Sequence, residues 1–269
     1  MFKWWWSFLL IWTATLQGLD YAPWYKSPVL ELDTYFEYLH QHYQRLDADT
    51  DCRNHGETSH FFTFGADISP WMPWNAQAEF SLADTTEQRS FYAKDFQLMG
   101  RYLLLDDVIG DPVSLSAGVT YMQFSKPARE DVGVFAHGAM AGEAHLAVGK
   151  EFAPNQFWLA RGWALGGIGV GDRGAPWLRA DAAFETNYCD FWSNAFVINS
   201  QWGLGHSLLC PEDFSGYGKL RYQFVDMGWK SESRFFTSTF KVGVLYRVYA
   251  RNCPKNNLQL SFALERTLY

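Results

Sequence analysis

The stretch from Phe235 to Tyr269 constrains the fold more than any other. Phe236, Phe240, Val242, Val244, Tyr246 and Val248 share one parity. Thr237, Thr239, Lys241 and Arg247 share the other, with Gly243 and Leu245 between them. After a break at 251–256, Leu258, Leu260, Phe262 and Leu264 alternate with Gln259, Ser261, Ala263 and Glu265. Successive side chains leave a β-strand on opposite sides, so a period of two predicts a hairpin with one apolar and one polar face. The last residue, Tyr269, is aromatic.

The same alternation recurs upstream. Leu30, Leu32, Thr34, Phe36 and Tyr38 oppose Glu31, Asp33, Tyr35 and Glu37 in a strand from Val29 to about Gln44. Phe62, Phe64, Ala66 and Ile68 mark a second strand over 61–68, and the prolines of 70–74 predict a turn because Pro cannot donate to a ladder. Ala76, Ala78, Phe80 and Leu82 mark a third, against Gln77, Glu79 and Ser81. In the fourth, Tyr92, Phe96, Leu98, Tyr102 and Leu104 face away from Asp95, Gln97 and Arg101, with Lys94 on the apolar parity. Strands over 113–121, 140–151, 177–188 and 192–204 follow; the one at 157–170 is Gly-rich and gives no readable facing. Leu220, Tyr222 and Phe224 against Lys219, Arg221 and Gln223 predict the tenth. With the final hairpin the total is about twelve, an even number as bacterial barrels require. The segments 46–60, 85–90, 125–138, 171–176, 205–216 and 251–257 then fall at one end as the longer loops, and the other end has mostly shorter turns.

Periodicity alone does not say which face meets lipid, since a soluble lipocalin-like barrel shows the same pattern inside out. Composition helps. The chain is 48% hydrophobic and 18% aromatic, with 13 Trp, 14 Tyr and 22 Phe, yet its mean hydropathy is only -0.21. A helical membrane protein needs apolar runs of ~20 residues; alternating strands average out. Many runs reach the ~10 residues that a tilted membrane strand needs, against ~5–6 in soluble sheets. Trp71, Trp74, Trp158, Trp177, Trp192 and Trp229 stand near strand ends, where interfacial aromatics belong. The net charge of -7 and the absence of a basic cluster argue against nucleic acid as a partner. Residues 1–18 read as a secretory signal: Lys3, the apolar run from Trp4 to Trp12, then Thr13, Ala14, Thr15 and Gly18. Residues 19–28 form a lead-in and 29–269 the barrel.

Signal, alternation and terminal aromatic together resemble the Gram-negative outer-membrane β-barrels. That resemblance implies an all-β, transmembrane, antiparallel up-and-down barrel of about 12 strands in the outer membrane, in contact with outer-membrane lipid and inserted by the barrel-assembly machinery through its last strand. The sequence departs from the pattern at one place. Tyr269 has the opposite parity to Leu258–Leu264, and Arg266 interrupts the apolar face, so the assembly signal is imperfect unless a bulge restores the phase. The segments 20–25 and 171–177 look like parts of uncharacterised chlamydial outer-membrane proteins. That likeness implies an envelope in which outer-loop cysteines form disulfides with other envelope proteins.

If the apolar parity faces lipid, the lumen is lined by Glu31, Asp33, Glu37, Glu79, Asp95, Arg101, Glu143, His145, Arg179, Asp181, Glu185, Lys219, Arg221, Lys241, Arg247 and Glu265. Such a lining either braces the interior with salt bridges or sets a transverse field across a narrow pore. The expected function is a small porin-like diffusion channel or an envelope structural protein. The alternatives are an outer-membrane hydrolase of the phospholipase or omptin kind, or a soluble exported binding barrel. The phospholipase signature, a His with a Ser two residues on and then Asn-Gly, is absent. His55, His60, His137 and His206 fall in or beside loops, as an omptin-like rim site would require. Cys52, Cys189, Cys210 and Cys253 permit two disulfides in three connectivities, and with no Cys-x-x-Cys pair a zinc site is not expected. The glycine run at 166–171 precedes no helical pattern, so strand packing explains it better than phosphate binding. Nothing in the sequence calls for a cofactor.

Overall fold

A computed structural model describes residues 32–48, 56–71, 73–153, 158–189 and 191–268. Twelve strands close into one antiparallel barrel. They are β1 (Leu32–Tyr43), β2 (Glu57–Trp71), β3 (Trp74–Thr85), β4 (Phe91–Leu105), β5 (Ser114–Phe124), β6 (Met140–Phe152), β7 (Ala160–Gly171), β8 (Trp177–Cys189), β9 (Trp192–Gly203), β10 (Gln223–Phe235), β11 (Ser238–Arg251) and β12 (Leu258–Leu268). Each strand pairs with its sequence neighbours, and β1 closes on β12 with Leu32 opposite Leu268 and His42 opposite Leu258. No edge is left, which is what a sheet in lipid requires.

The facing decides the solvent. Phe64, Phe80, Phe96, Leu98, Val119, Leu146, Ile168, Val170, Phe184, Phe196, Val244 and Leu264 are exposed on the outer wall. Glu37, Glu79, Asp95, Arg101, Glu143, His145, Asp181 and Arg247 are buried inside. A soluble barrel would show the reverse, so the soluble alternative is overturned: this wall is built to meet acyl chains. Small residues Ala66, Ala76, Ala78 and Gly100 leave a depression of about 530 Å³ in it. At the short-turn end, Trp71, Trp74, Tyr102, Phe152, Tyr188, Phe191, Trp192 and Phe235 stand outward, with the Trp74 and Tyr102 rings 4.9 Å apart. This is an interfacial girdle.

Several expectations change. The second strand runs through Pro70 to Trp71, with a register shift between Ile68 and Trp71 that accommodates the proline. A bulge on β4, where Asp95 faces Ser81 but Ala93 faces Leu82, gives Lys94 an extra place. The phase flips there, so Tyr92 points inward with Asp95 rather than outward, and Lys94 reaches Asp95 at 2.9 Å. No bulge occurs in β12: Leu268 remains outward, in phase with Leu264; Tyr269 lies outside the described residues. On β7 the Gly-rich outer face is Gly162, Ala164 and Gly166, while Leu165 points in. A Cβ at Gly169 would overlap the Trp177 indole, so this position demands glycine.

The tenth strand needs the largest revision. It spans 223–235, later than the alternation at 219–224 predicts. Leu220, Tyr222 and Phe224 are buried in the interior instead of facing lipid. Lys219 and Arg221 are exposed and precede the strand, so they are not lumen-lining. The alternation there is real, but it belongs to the end of a loop and the start of β10, which pack an apolar core of their own.

Candidate functional site

The interior is divided along the barrel axis. At the loop end, the segment 125–139 folds back across the mouth. Ser125 caps a short helix, α1 (Lys126–Glu130), by accepting from the Ala128 N–H at 3.3 Å. The chain beyond it is sealed: Asp131, Val132, Val134 and Ala136 are all buried. This segment touches the wall on several sides. Gln41 Nε2 of β1 donates to the Gly133 carbonyl at 3.2 Å. Thr85 and Tyr92, from β3 and β4, donate to Asp131 at 2.6 and 3.0 Å. His137 stacks on Trp177 of β8 at 3.8 Å between centroids. Phe135 meets Phe224 of β10 at 4.8 Å.

A second loop, 204–222, closes over the first. Tyr217 donates to the Val132 carbonyl at 2.8 Å and stacks on Phe135 at 4.4 Å, and the Tyr222 hydroxyl meets His137 Nε2 at 2.6 Å. The loop 172–176 joins them through Ala175 N–H to Gly218 O at 2.6 Å. Gly174 has φ +117 and its Cβ would overlap the Gly218 carbonyl, so the stitch works only with glycine there. Two apolar clusters result, one around Tyr43, Val132, Leu209, Tyr217, Tyr222 and Phe224, the other around Phe61, Tyr92, Phe124, Val134 and Trp177. Together they make a cap of soluble-protein character on a membrane barrel. Trp177 therefore belongs to the cap, 1% exposed and donating to Glu143 Oε2 at 3.1 Å, and not to an interfacial girdle.

Arg247 ties cap to wall. Its Nε and Nη2 reach Asp226 Oδ1 and Oδ2 at 2.7 and 2.9 Å, Nη1 reaches the Pro254 carbonyl at 3.2 Å, and the guanidinium lies over Phe224 and Phe135 at 4.1 and 5.1 Å. Two parallel bonds plus aromatic faces are the arrangement in which arginine outperforms lysine. At the β1–β12 seam, Arg45–Leu46 pairs with Pro254–Lys255, and Lys255 Nζ meets Asp47 Oδ1 at 2.5 Å.

Under the cap, oxygens of Glu57, Glu87 and Asp131 lie within 4.8 Å of one another, in oxygen chemistry suited to a hard cation. Burial raises the Asp131 carboxyl above the ordinary range; burial, then the Asp131 charge, raises Glu87. Sequence reading missed this group because its members come from a strand end, a turn and a loop. Burial also pushes His137 down to about 3, Cys253 up to about 12 and Tyr217 well upward.

Below the cap the lumen is polar, and its two sides differ. On β1–β4 the inner faces carry Asp33, Glu37, Glu57, Asp67, Glu79 and Asp95. Arg101 answers Asp67 at 3.3 Å and Asn75 at 2.7 and 2.9 Å. Tyr35 donates to Glu79, and Gln77 donates to Tyr35 at 2.7 Å. From β6 to β12 acids and bases meet in pairs: Arg161–Glu185 at 2.5 Å, Arg179–Asp181 at 2.6 Å, Arg179–Glu143 at 3.6 Å, Arg234–Glu232 at 2.6 Å and Lys241–Glu265 at 2.6 Å. A cavity of about 50 Å³ remains beside Arg179, Asp181, Gln201, Asp226 and Gln259. His145 is buried next to Gly118 of β5, where any Cβ would collide with its ring. Glu31 lies outside the described residues.

The loop histidines do not assemble. His206 is exposed, His137 is inside the cap, and His60 faces outward beside His40, 5.1 Å between centroids; His55 lies outside the described residues. Cys210 and Cys253 are free thiols, Cys253 fully buried. Cys52 and the Cys189 side chain lie outside the description.

No protein-family model and no curated protein matches this sequence. Solved structures do. An outer membrane channel from Pseudomonas putida F1 is similar over 93% of this chain and 100% of its own, with a TM-score of 0.69 and 12% identity. The NanC porin is similar over 88% of this chain and 100% of its own, with a TM-score of 0.56 and 8% identity. The comparisons give the chlamydial likeness no support, and the segment at 171–177 is explained by its packing against the cap. At these identities the likeness is one of fold: a closed twelve-stranded barrel of the kind seen in outer-membrane channels and porins.

Proposed function

We propose that this protein is a porin-like channel of a Gram-negative outer membrane, closed at its loop end by its own loops 125–139 and 204–222. The observation that carries this reading is the facing: a closed barrel with an apolar outer wall holds, among the described residues, buried titratable side chains inside on nine of its twelve strands. A purely structural barrel has no need of so many buried ions, each costly to desolvate. The two similar structures are described as a channel and a porin. Residues 1–18 act as the export signal and 19–28 as a lead-in; the barrel-assembly machinery and outer-membrane lipid are the implied partners. The expected inter-protein disulfide falls to Cys210, partly exposed, rather than to Cys253, which the cap seals.

Planar-bilayer recording tests the channel. Purified, heat-modifiable barrel should give discrete conductance steps, rarer than in a variant lacking 126–137. A folded barrel silent in both forms would leave an envelope structural protein.

A further inference from the structure

The channel reading says that something passes; the lumen also indicates what charge it carries. The charged groups of β6–β12 are matched to one another, within a strand or between nearby strands, and apolar contacts lie among them: Ala147 and Leu165 with Trp163, met by Met99 from β4, and Ala183, Val197 and Leu245. That side has little net charge to offer. The opposite wall differs in kind. Asp33, Glu37, Glu57, Asp67, Glu79 and Asp95 face inward from β1–β4, and Arg101 is the one cation on those inner faces among the described residues, Lys94 reaching Asp95 from its bulge.

A second observation is independent of the carboxylates. Next to this wall on β5, Ser116 Oγ and Thr120 Oγ1 are buried without a hydrogen-bond partner, the residues being 1% and 3% exposed, and Asp95 Oδ1 is likewise unpartnered. Buried polar atoms are nearly always satisfied, so such atoms on a lumen face mark a place where a hydrated species donates to them. All three atoms are oxygens, and two are hydroxyls able to turn a lone pair toward a cation.

We propose that solutes cross along the β1–β5 side of the lumen and that the path selects cations. This rests on the channel reading above. Carboxylates concentrated on one low-dielectric wall focus the field and enrich counter-ions locally. The paired ions opposite hold the barrel open without cancelling that field.

The test is the reversal potential of the full-length protein in a planar bilayer under a potassium chloride gradient. The expected result is a potassium preference over chloride of about tenfold. The double variant Glu37→Gln/Glu79→Gln should bring the ratio toward unity, with folding checked by heat-modifiable mobility. The exposed loop variant Glu212→Gln should leave it unchanged. Wild-type conductance with a ratio at or below one overturns the proposal and leaves the channel intact. Unaltered selectivity in a folded double variant also overturns it, by moving the path off this wall. No conductance in either the wild type or the variant lacking 126–137 removes the channel reading, and this inference with it.

Discussion

The two ends of the barrel are built by different rules. At the turn end, strands are joined by segments as short as 236–237, aromatic rings face outward, and the charged Arg234–Glu232 pair is partly exposed, its side chains 33% and 22% accessible. At the loop end, three loops meet in a dry centre, aromatic rings face inward, and Arg247 and Asp226 are 2% and 5% accessible. The turn end is made by the bilayer, the loop end by packing. The contrast teaches that a membrane barrel can carry a small soluble-type core where its loops converge.

The comparison is broken most severely at its two arginines. Arg247→Ala strands Asp226 in a buried site and removes the guanidinium from Phe224 and Phe135. Breaking one side of a buried pair costs about 3–5 kcal/mol. Arg234→Ala at the turn end should cost under about 1 kcal/mol, because its pair is screened. Urea unfolding followed by heat-modifiable mobility measures both; equal losses would mean that the loop end is no better sealed than the turn end.

Tryptophan gives the next contrast. Trp177→Ala empties a fully buried site between His137 and Glu143. Large-to-small changes of this kind cost roughly 3 kcal/mol or more, here confined to the cap, so channel openings should become more frequent while the barrel stays folded. Trp74→Ala on the girdle should leave the opening frequency unchanged. Single-channel recording decides between them.

The cap should also sense pH from both sides. Asp131 and Glu87 are held above the ordinary carboxylate range, chiefly by burial. For acids so raised, the stabilisation is complete below the ordinary carboxylate range and is lost as pH climbs through the raised values. His137 is pushed down to about 3 by burial. Its neutral ring contributes above the ordinary imidazole value, about 6.5, and that contribution is lost as pH falls toward 3. Amide protection across 126–137, taken relative to the intrinsic exchange rate at each pH, should therefore be greatest at mildly acidic pH. Asp131→Asn should flatten the alkaline limb and His137→Gln the acid limb. A flat profile in the wild type would show that neither group limits the cap.

The barrel wall was legible in the sequence because a strand with lipid on one side and a polar lumen on the other must alternate. Glu37, Arg101, Glu143, Asp181 and Glu265 were placed by that rule alone. Where the phase changes without a compositional mark, as at the Lys94 bulge, the rule misplaces Tyr92. The cap was illegible for a different reason. Leu220, Tyr222 and Phe224 alternate as a lipid-facing strand would, yet they pack inward, since period two reports two faces and not what each face meets. Asp131, Glu87 and Glu57 come together only through the path of a loop, which has no period at all.

The smallest expected effect isolates the polar part of the cap from its packing. Tyr217 holds the 125–139 loop in two ways, by stacking on Phe135 and by donating to the Val132 carbonyl. Tyr217→Phe keeps the ring and removes the donor, leaving a buried carbonyl unsatisfied at a cost of about 1 kcal/mol. Amide exchange in 130–135 should accelerate by about a factor of five, since 1.4 kcal/mol is tenfold, with no change in the barrel strands. A far larger acceleration would mean that the hydrogen bond, rather than the aromatic stack, keeps the mouth shut. No acceleration would mean that the apolar cluster alone suffices, and that the loop end is closed by the same force that seats the outer wall in lipid.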